Sequence, residues 1–274
     1  MKRKRIDKGM EQHFRDKKSV LIVYLFLRFL VVVTLVMRII HRDYESAAIC
    51  ILTLVLLTMP SLVERRLRIN LPNALEIVIL LFIFAAEILG EIREFYVLVP
   101  HWDTILHTIN GFLFSAIGFC MVNLLNDNPN TAMNLSPFYV AVAAFCFSMT
   151  IGVLWEFFEW GMDTLFNMDM QKDTVVNTVN SVTLHPEGKN QVISLQGIKD
   201  VTVLYADGKR QALALGGYLD IGLLDTMKDL LVNLVGAVVF SVIGYFYIKT
   251  KGKGKVAKMF IPTLKEKEDQ LPEA

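Results

Sequence analysis

The sequence has few cysteines. Its 274 residues include three, Cys50, Cys120 and Cys146, and each lies within an apolar stretch. An odd number of cysteines, with none in the long polar segment of the chain, argues against a disulfide framework. We expect them to act as small buried apolar residues.

The sequence also lacks the short motifs of several common enzyme classes. It contains no Gly-x-Ser-x-Gly nucleophile elbow, no phosphate-binding glycine loop and no dinucleotide-binding fingerprint. The first apolar stretch ends at residues 37–42 without the small residues of a signal-peptidase site. We therefore expect this stretch to remain in the protein as a membrane anchor.

The chain has little net charge, but its charges are unevenly distributed. The formal net charge is +1, whereas residues 1–18 and 249–258 are both strongly basic. Basic segments that flank apolar stretches are typical of the cytoplasmic side of a membrane and of contact with anionic lipid. No aromatic or folded nucleic-acid module accompanies them, so we expect the partner to be the lipid bilayer and no nucleic acid.

Apolar residues make up 54% of the chain, and the mean hydropathy is +0.45, as in integral membrane proteins. A bilayer core of about 30 Å needs about 20 apolar residues in a helix. Six stretches are close to that length or longer: 20–40, 46–63, 71–90, 103–125, 137–166 and 221–248. They predict an all-α membrane protein, a six-helix transmembrane bundle.

Six crossings place both termini on one side. The basic termini and the arginines Arg65, Arg66 and Arg68 predict that this side is the cytoplasm, in a multi-pass protein of the cell membrane. The predicted organisation is a basic cytoplasmic tail (1–18), helices 1–5 (19–166), an extracytoplasmic β-rich insert (167–219), helix 6 (220–248) and a cytoplasmic tail (249–274). In the insert, alternating segments at 192–195, 201–205 and 211–215, with turn residues at 186–188 and 207–208, predict a small β-meander.

Acidic residues and a histidine interrupt three of the apolar stretches. Helical spacings of three and four place them on one face in each case: Asp103, His107 and Asn110; Glu156, Glu159 and Asp163; Asp225, Asp229 and Asn233. By the predicted topology all three groups lie near the outer side. A carboxylate within the membrane costs roughly 2.5–3.5 kcal/mol on insertion scales, so such residues are functional candidates.

Three interpretations of this outer-side cluster are open. The carboxylates and the imidazole could bind a divalent metal ion, with Asp103, His107, Glu156, Glu159, Asp225 and Asp229 as ligands. Some acids could instead remain protonated and join the helices by hydrogen bonds, or the stripes could line a proton or ion path. Asp103 and Asp220 could also be helix N-caps, which Asp favours.

Glycines recur within the same apolar stretches. We expect six of them to allow close approach of helices: Gly111, Gly118, Gly152, Gly161, Gly236 and Gly244.

The polar blocks also resemble a known family. Residues 102–107 with Gly111, residues 155–160, and residues 225–229 with Gly236 resemble the YjdF-like family of uncharacterised bacterial inner-membrane proteins, and the order of spans and motifs agrees from about residue 75 to 245. The last block is also similar to VanZ-like membrane proteins, a group linked to glycopeptide resistance. The resemblance implies a polytopic bacterial membrane protein whose polar set is the six residues above. The 167–219 insert departs from the family, which usually has a shorter connection there.

Three functions follow as expectations. The first is a metal-dependent enzyme that acts on a lipid-linked or cell-envelope substrate, in which the cation polarises an ester or phosphoryl oxygen. The second is a component of an ion or proton transporter, which needs polar residues that continue towards the cytoplasm. The third is a non-catalytic envelope protein whose insert binds a partner.

Overall fold

The computed structural model describes residues 17–67, 69–126 and 133–264. The basic residues 1–16, Arg68 and the end of the C-terminal tail from 265 lie outside the described residues. Within those ranges the chain is mostly helical, and five helices are long and apolar enough to cross a membrane. They are Lys18–Ile40, Tyr44–Arg66, Trp102–Asn126, Pro137–Phe166 and Leu223–Lys249.

Residues 41–43 join the first two of these five spans. Helix α1 is Lys18–Ile40, and the second span consists of α2 (Tyr44–Leu56) and α3 (Met59–Leu67). The Asp43 carboxylate caps α2 by accepting a hydrogen bond from the Ser46 amide at 3.1 Å. Pro60 lies in the first turn of α3, where its missing N–H costs no helical hydrogen bond. Pro60 therefore follows the point at which the second span divides into two helices.

The third apolar stretch changes helix type along its length. After strand β1 (Ile69–Asn70), α4 (Asn73–Phe84) continues as a π-helix over Ala85–Ile92. The Arg93 N–H donates to the Ile88 carbonyl, a five-residue step that belongs to the wider π-turn. The short α5 (Phe95–Leu98) follows. Six stretches were expected, but this one is divided between two helix types and is not among the five long helices.

The remaining helices are α6 (Trp102–Asn126), α7 (Pro137–Phe166), α8 (Leu223–Lys249) and the short α9 (Lys255–Lys258). The chain forms two compact units, a larger one within Met1–Gly152 and Val232–Ala274 and a smaller one, Val153–Leu231. The larger unit has two apolar cores. One contains Val31, Cys50 and Leu80, and the other contains Leu75, Phe119 and Phe240, all fully or almost fully buried.

The C-terminal segment is part of the second core. Strand β8 (Thr263–Leu264) pairs antiparallel with β1, and Ala257 and Ile261 are buried in the core. The Phe260 ring packs edge-on against Phe112 of α6, with 5.2 Å between ring centroids. Residues 255–264 were expected to be part of a plain tail. They fold onto the larger unit instead, because they carry apolar side chains that the core buries.

The smaller unit contains the end of α7, the start of α8 and the intervening insert. The insert forms three two-stranded antiparallel pairs, whose six strands are β2 (Val175–Val176), β3 (Thr178–Ser181), β4 (Ile193–Gln196), β5 (Thr202–Leu204), β6 (Arg210–Ala212) and β7 (Tyr218–Leu219). The pairs are β2–β7, β3–β4 and β5–β6. Gly208 closes the β5–β6 hairpin with a φ of 82°. The turn residues were predicted correctly, but the strands form separate pairs instead of one meander.

Candidate functional site

In the larger unit, the first two turns of α6 bring an acid and a histidine together. Asp103 lies in the first turn, where a carboxylate is favoured by the positive end of the helix dipole. One turn later, His107 places its Nε2 3.4 Å from the Asp103 Oδ1. His107 is 8% exposed. The pair offers one oxygen and one nitrogen donor, as expected from the spacing of these two residues.

A row of buried polar side chains continues from this pair along α6. The Asn110 side-chain amide donates to the side-chain Oδ1 of Asn233 at 3.4 Å, and the Ser148 hydroxyl donates to the backbone carbonyl of Gly111 at 2.7 Å. Further along, the Ser115 and Ser241 hydroxyls are 3.0 Å apart. We call Asn110, Ser115, Ser148, Asn233 and Ser241 the polar seam.

Glycines make the close contacts of the seam possible. A β-carbon on Gly111 would overlap the carbonyl oxygen of Asn233, and one on Gly236 would overlap that of Thr108. On Gly152 it would lie 2.7 Å from the Asn233 side-chain amide. Close approach is also confirmed at Gly118 and Gly244, which face Phe147 and Phe119. The same expectation was wrong for Gly161, where a β-carbon would meet nothing within 4 Å.

The polar seam ends in aromatic side chains. One turn beyond Ser115, Phe119 is fully buried and packs edge-on against Phe240, with 5.9 Å between ring centroids. Phe240 is also fully buried and packs against Phe112. The seam therefore joins helices through hydrogen bonds of 2.7–3.4 Å and ends in apolar packing.

In the smaller unit, three carboxylates are buried on helices. Glu156 and Glu159 of α7 are 4% and 8% exposed, and Asp229 of α8 is 1% exposed. The Trp155 indole N–H donates to the Glu159 Oε1 at 2.8 Å. Trp155 therefore holds one of the candidate ligands in place.

Asp225 is engaged differently from the other candidate ligands. Its Oδ2 accepts a hydrogen bond from the Lys172 amide at 2.9 Å, and its Oδ1 lies 3.5 Å from the Lys228 ammonium. These bonds attach the segment after α7 to the start of α8. Asp225 thus has a structural role that the helical spacing alone does not indicate.

Two further acids hold the same segment. The Asp163 carboxylate accepts hydrogen bonds from the backbone amides of Met170 and Gln171 at 2.6 and 2.8 Å. Asp220 accepts from the amides of Thr174 and Leu224, each at 2.8 Å. Leu224 is in the first turn of α8, so Asp220 binds one of the free amides of that turn, although it lies three residues before the helix and not at the expected N-cap position.

The acids around this segment also affect one another. Asp173 has a pKa above its ordinary value of 3.8, because partial burial and the nearby charges of Asp169, Asp220 and Asp163 disfavour its carboxylate. The segment after α7 therefore concentrates negative charge outside the helices.

A groove in the smaller unit is not evident from the sequence. Its volume is about 490 Å³, and most of its wall is apolar. It is lined by Val153, Glu156, Phe157, Trp160, Gln171, Ile221, Gly222, Leu223, Thr226 and Leu230. The only signal in the sequence is the 153, 156, 157, 160 spacing on α7, which places these four residues on one helical face.

The residues present can be compared with the requirements of a divalent cation. Carboxylate oxygens and an imidazole suit the borderline divalent metals. The larger unit offers the half-buried Asp103 and the buried His107. The smaller unit offers the buried carboxylates of Glu156, Glu159 and Asp229. Asp225 suits this role less well, because both of its oxygens already face donors.

One family model, described as "Predicted membrane protein (DUF2238)", matches residues 22–250. The match covers all five long helices apart from four residues at the start of α1. No curated protein and no solved structure matches the chain.

Proposed function

The chain belongs to the DUF2238 family of predicted membrane proteins, and from this membership we propose that it is a six-helix cell-membrane protein with both termini in the cytoplasm. The match is consistent with the resemblance to the YjdF-like family. The sixth crossing would be α4 with its π-helical continuation, which together run from Asn73 to Ile92. Labelling of single cysteines at positions 190 and 253 tests the topology. We expect residue 190 to be accessible from outside and residue 253 from the cytoplasm.

We further propose that the protein binds a divalent cation and acts on a lipid-linked or cell-envelope substrate. The observation that carries this proposal is the burial of His107, Glu156, Glu159 and Asp229 in helices long and apolar enough to cross a membrane. Buried ionisable groups are costly there and are kept where they serve a function. Asp103, His107, Glu156, Glu159, Asp225 and Asp229 are the candidate ligands.

When bound, the cation would supply a Lewis acid that polarises an ester or phosphoryl oxygen. Neighbouring side chains would hold two of these candidate ligands, His107 and Glu159, in position. Asp103 lies beside the His107 Nε2, and the Trp155 indole fixes one oxygen of Glu159. Such neighbours typically set the orientation and basicity of metal ligands.

Elemental analysis of the purified protein tests cation binding. We expect stoichiometric metal in the wild type and its loss in His107→Ala. Glu187→Ala is the control, because Glu187 lies in the insert, is 64% exposed and pairs with Lys189. A wild type without metal, or a His107→Ala variant that keeps it, contradicts the proposal.

Transport is less well supported, because the polar seam ends at the buried rings of Phe119 and Phe240. Binding of a protein partner is favoured by one observation on the insert. The insert exposes large apolar side chains, including Val192 at 59%, just before β4, and Leu204 at 63%, in β5. Exposed apolar residues on short strands suit a partner surface. Loss of co-purifying protein after Leu204→Ser, with the fold retained, would favour this second function.

A further inference from the structure

We propose that the groove of the smaller unit binds a bilayer phospholipid whose headgroup carries a primary ammonium. The inference goes beyond the proposed cation site, does not require it, and concerns the cation-free protein, in which no metal ion neutralises Glu156. It rests on the shape, exposure and charge of the groove walls.

The apolar wall fits an acyl chain. Phe157 and Trp160 of α7 are 64% and 60% exposed, and Leu223 at the start of α8 is 64% exposed. Both helices are long and apolar enough to cross a membrane, so exposed apolar side chains on them face lipid in the assembled protein. A volume of about 490 Å³ is within the range of small-molecule sites and accommodates part of a lipid chain.

The charge of the groove selects the headgroup. Among the described residues that line it, Glu156 is the one ionisable group, and it is 4% exposed. A carboxylate in such a wall attracts an ammonium and repels an anionic headgroup. Trp160 on the same wall offers an aromatic face, which also attracts cations. Residues 153–231 contain eleven Asp and Glu against six Lys and Arg, which favours the same choice.

The rim of the groove is held in a strained conformation. Ile221 has a φ of 57° and the next residue, Gly222, a φ of 79°. The left-handed region suits glycine, but a β-branched residue rarely adopts it. Ile221 is nevertheless 77% exposed, so burial of its side chain does not explain the strain. A strained backbone conformation persists where the surrounding structure holds it in place, often at ligand-binding sites. Here it positions Ile221 in the apolar wall of the groove.

Trp160 provides a reporter of lipid bound in the groove. The protein is placed in phosphatidylcholine nanodiscs that contain, at equal mole fraction, either phosphatidylethanolamine or phosphatidylglycerol with brominated chains, which quench tryptophan. The difference between the wild type and Trp160→Phe isolates the signal of Trp160 from the other tryptophans. We expect brominated phosphatidylethanolamine to quench Trp160 at least twofold more than brominated phosphatidylglycerol. A chelator is present throughout, so the result does not depend on a bound cation.

Two variants and a matched control identify the determinants. Glu156→Gln should make quenching by the two lipids equal, and Val153→Phe, which fills the groove, should reduce quenching by both. Glu187→Gln is the control, because Glu187 is an exposed acid of the same unit and does not line the groove. Equal quenching in the wild type, or a preference that survives Glu156→Gln, overturns the proposal. Absence of quenching by either lipid, with a dimer in the nanodisc, would assign the groove to a second copy of the chain and also overturn it.

Discussion

Gly236 of α8 lies so close to Thr108 of α6 that a β-carbon on the glycine would overlap the threonine carbonyl oxygen. In the neighbouring contact the roles are exchanged: the glycine is Gly111 of α6, and it faces the backbone carbonyl of Asn233 on α8. The two helices therefore touch backbone to backbone over about one turn. This contact sets the spacing at which Asn110 and Asn233 form their hydrogen bond.

The first prediction concerns this contact. Gly236→Ala should destabilise the larger unit by about 1–3 kcal/mol or prevent its folding, because the added methyl group forces the helices apart. Gly161→Ala is the control, because a β-carbon there meets nothing within 4 Å, and alanine should stabilise the helix by about 0.5–1 kcal/mol. Thermal unfolding in detergent measures both. Equal melting temperatures for the two variants would contradict the prediction.

The second prediction concerns the turn after α7. Asp163→Ala removes the acceptor for the amides of Met170 and Gln171, and an unsatisfied amide costs about 1–3 kcal/mol. The segment should open, and limited proteolysis should cut it faster than in the wild type. Asp169→Ala is the control, because the Asp169 side chain is 65% exposed and pairs only with nearby Lys172. If both variants are cut at the wild-type rate, Asp163 does not hold the turn.

The third prediction concerns the residue before α1. The Lys17 ammonium lies 2.5 Å from Glu64 and 2.6 Å from Glu76. Burial lowers the pKa of Lys17, but hydrogen bonds to the two glutamates outweigh burial and raise it above 10.5. The resulting stability is fully present below pH 10.5, the pKa in the unfolded chain, and is lost as the pH rises through the higher folded pKa.

Lys17→Met should therefore destabilise the larger unit at neutral pH, by about 3–5 kcal/mol, because it leaves the buried Glu76 and the partly buried Glu64 without their cation. Lys18→Met is the matched control, because Lys18 is adjacent in sequence and exposed. Melting temperatures at pH 8 and pH 11 measure the effect. The wild type should lose stability between these values, whereas Lys17→Met should change little.

The sequence predicted the bounds of the long helices closely, but it did not predict which charged side chains bind each other. Residues 137–166 were expected as a span and form α7, and 103–125 became Trp102–Asn126. Hydropathy determines such segments locally, so no knowledge of the partner helices is needed. The partners of charged side chains were not predicted. Glu76 binds Lys17, which is 59 residues away in the sequence, and the Arg28 guanidinium donates to the Tyr24 hydroxyl on its own helix.

In the candidate site, too, relations within one helix were predicted, whereas contacts with non-helical segments were not. The helical spacing correctly placed Asp103 beside His107 and predicted buried acids at Glu156, Glu159 and Asp229. It did not predict that Asp163 and Asp225 bind backbone amides of the segment after α7, because those bonds depend on the path of a non-helical segment. The groove was missed for a similar reason, since Gln171 and Ile221 enter its wall from outside the helices.

The fourth prediction concerns Asp173. Its folded pKa lies above 3.8, so its charge destabilises the smaller unit at neutral pH. This cost disappears as the pH falls through the folded pKa towards 3.8, the reverse of a salt-bridged carboxylate. Asp173→Asn should therefore raise the melting temperature at pH 7 and have no effect near pH 3. Asp200→Asn, at an exposed position in the same insert, should have little effect at either pH.

The last prediction separates a bound cation from purely structural acids. If a cation neutralises the buried carboxylates, a chelator should lower the melting temperature of the wild type in detergent. Glu156→Ala should also destabilise the protein, by about 3–5 kcal/mol, because the neighbouring Glu159 would remain as an uncompensated buried charge. If the acids are protonated and hydrogen-bonded, chelation should have no effect and Glu156→Gln, which keeps the shape and a donor, should be nearly neutral. We expect chelator sensitivity in the wild type and in Glu187→Ala, and its loss in His107→Ala. If the melting temperature does not respond to chelator and Glu156→Gln is neutral, the cation is absent and these acids serve to join helices.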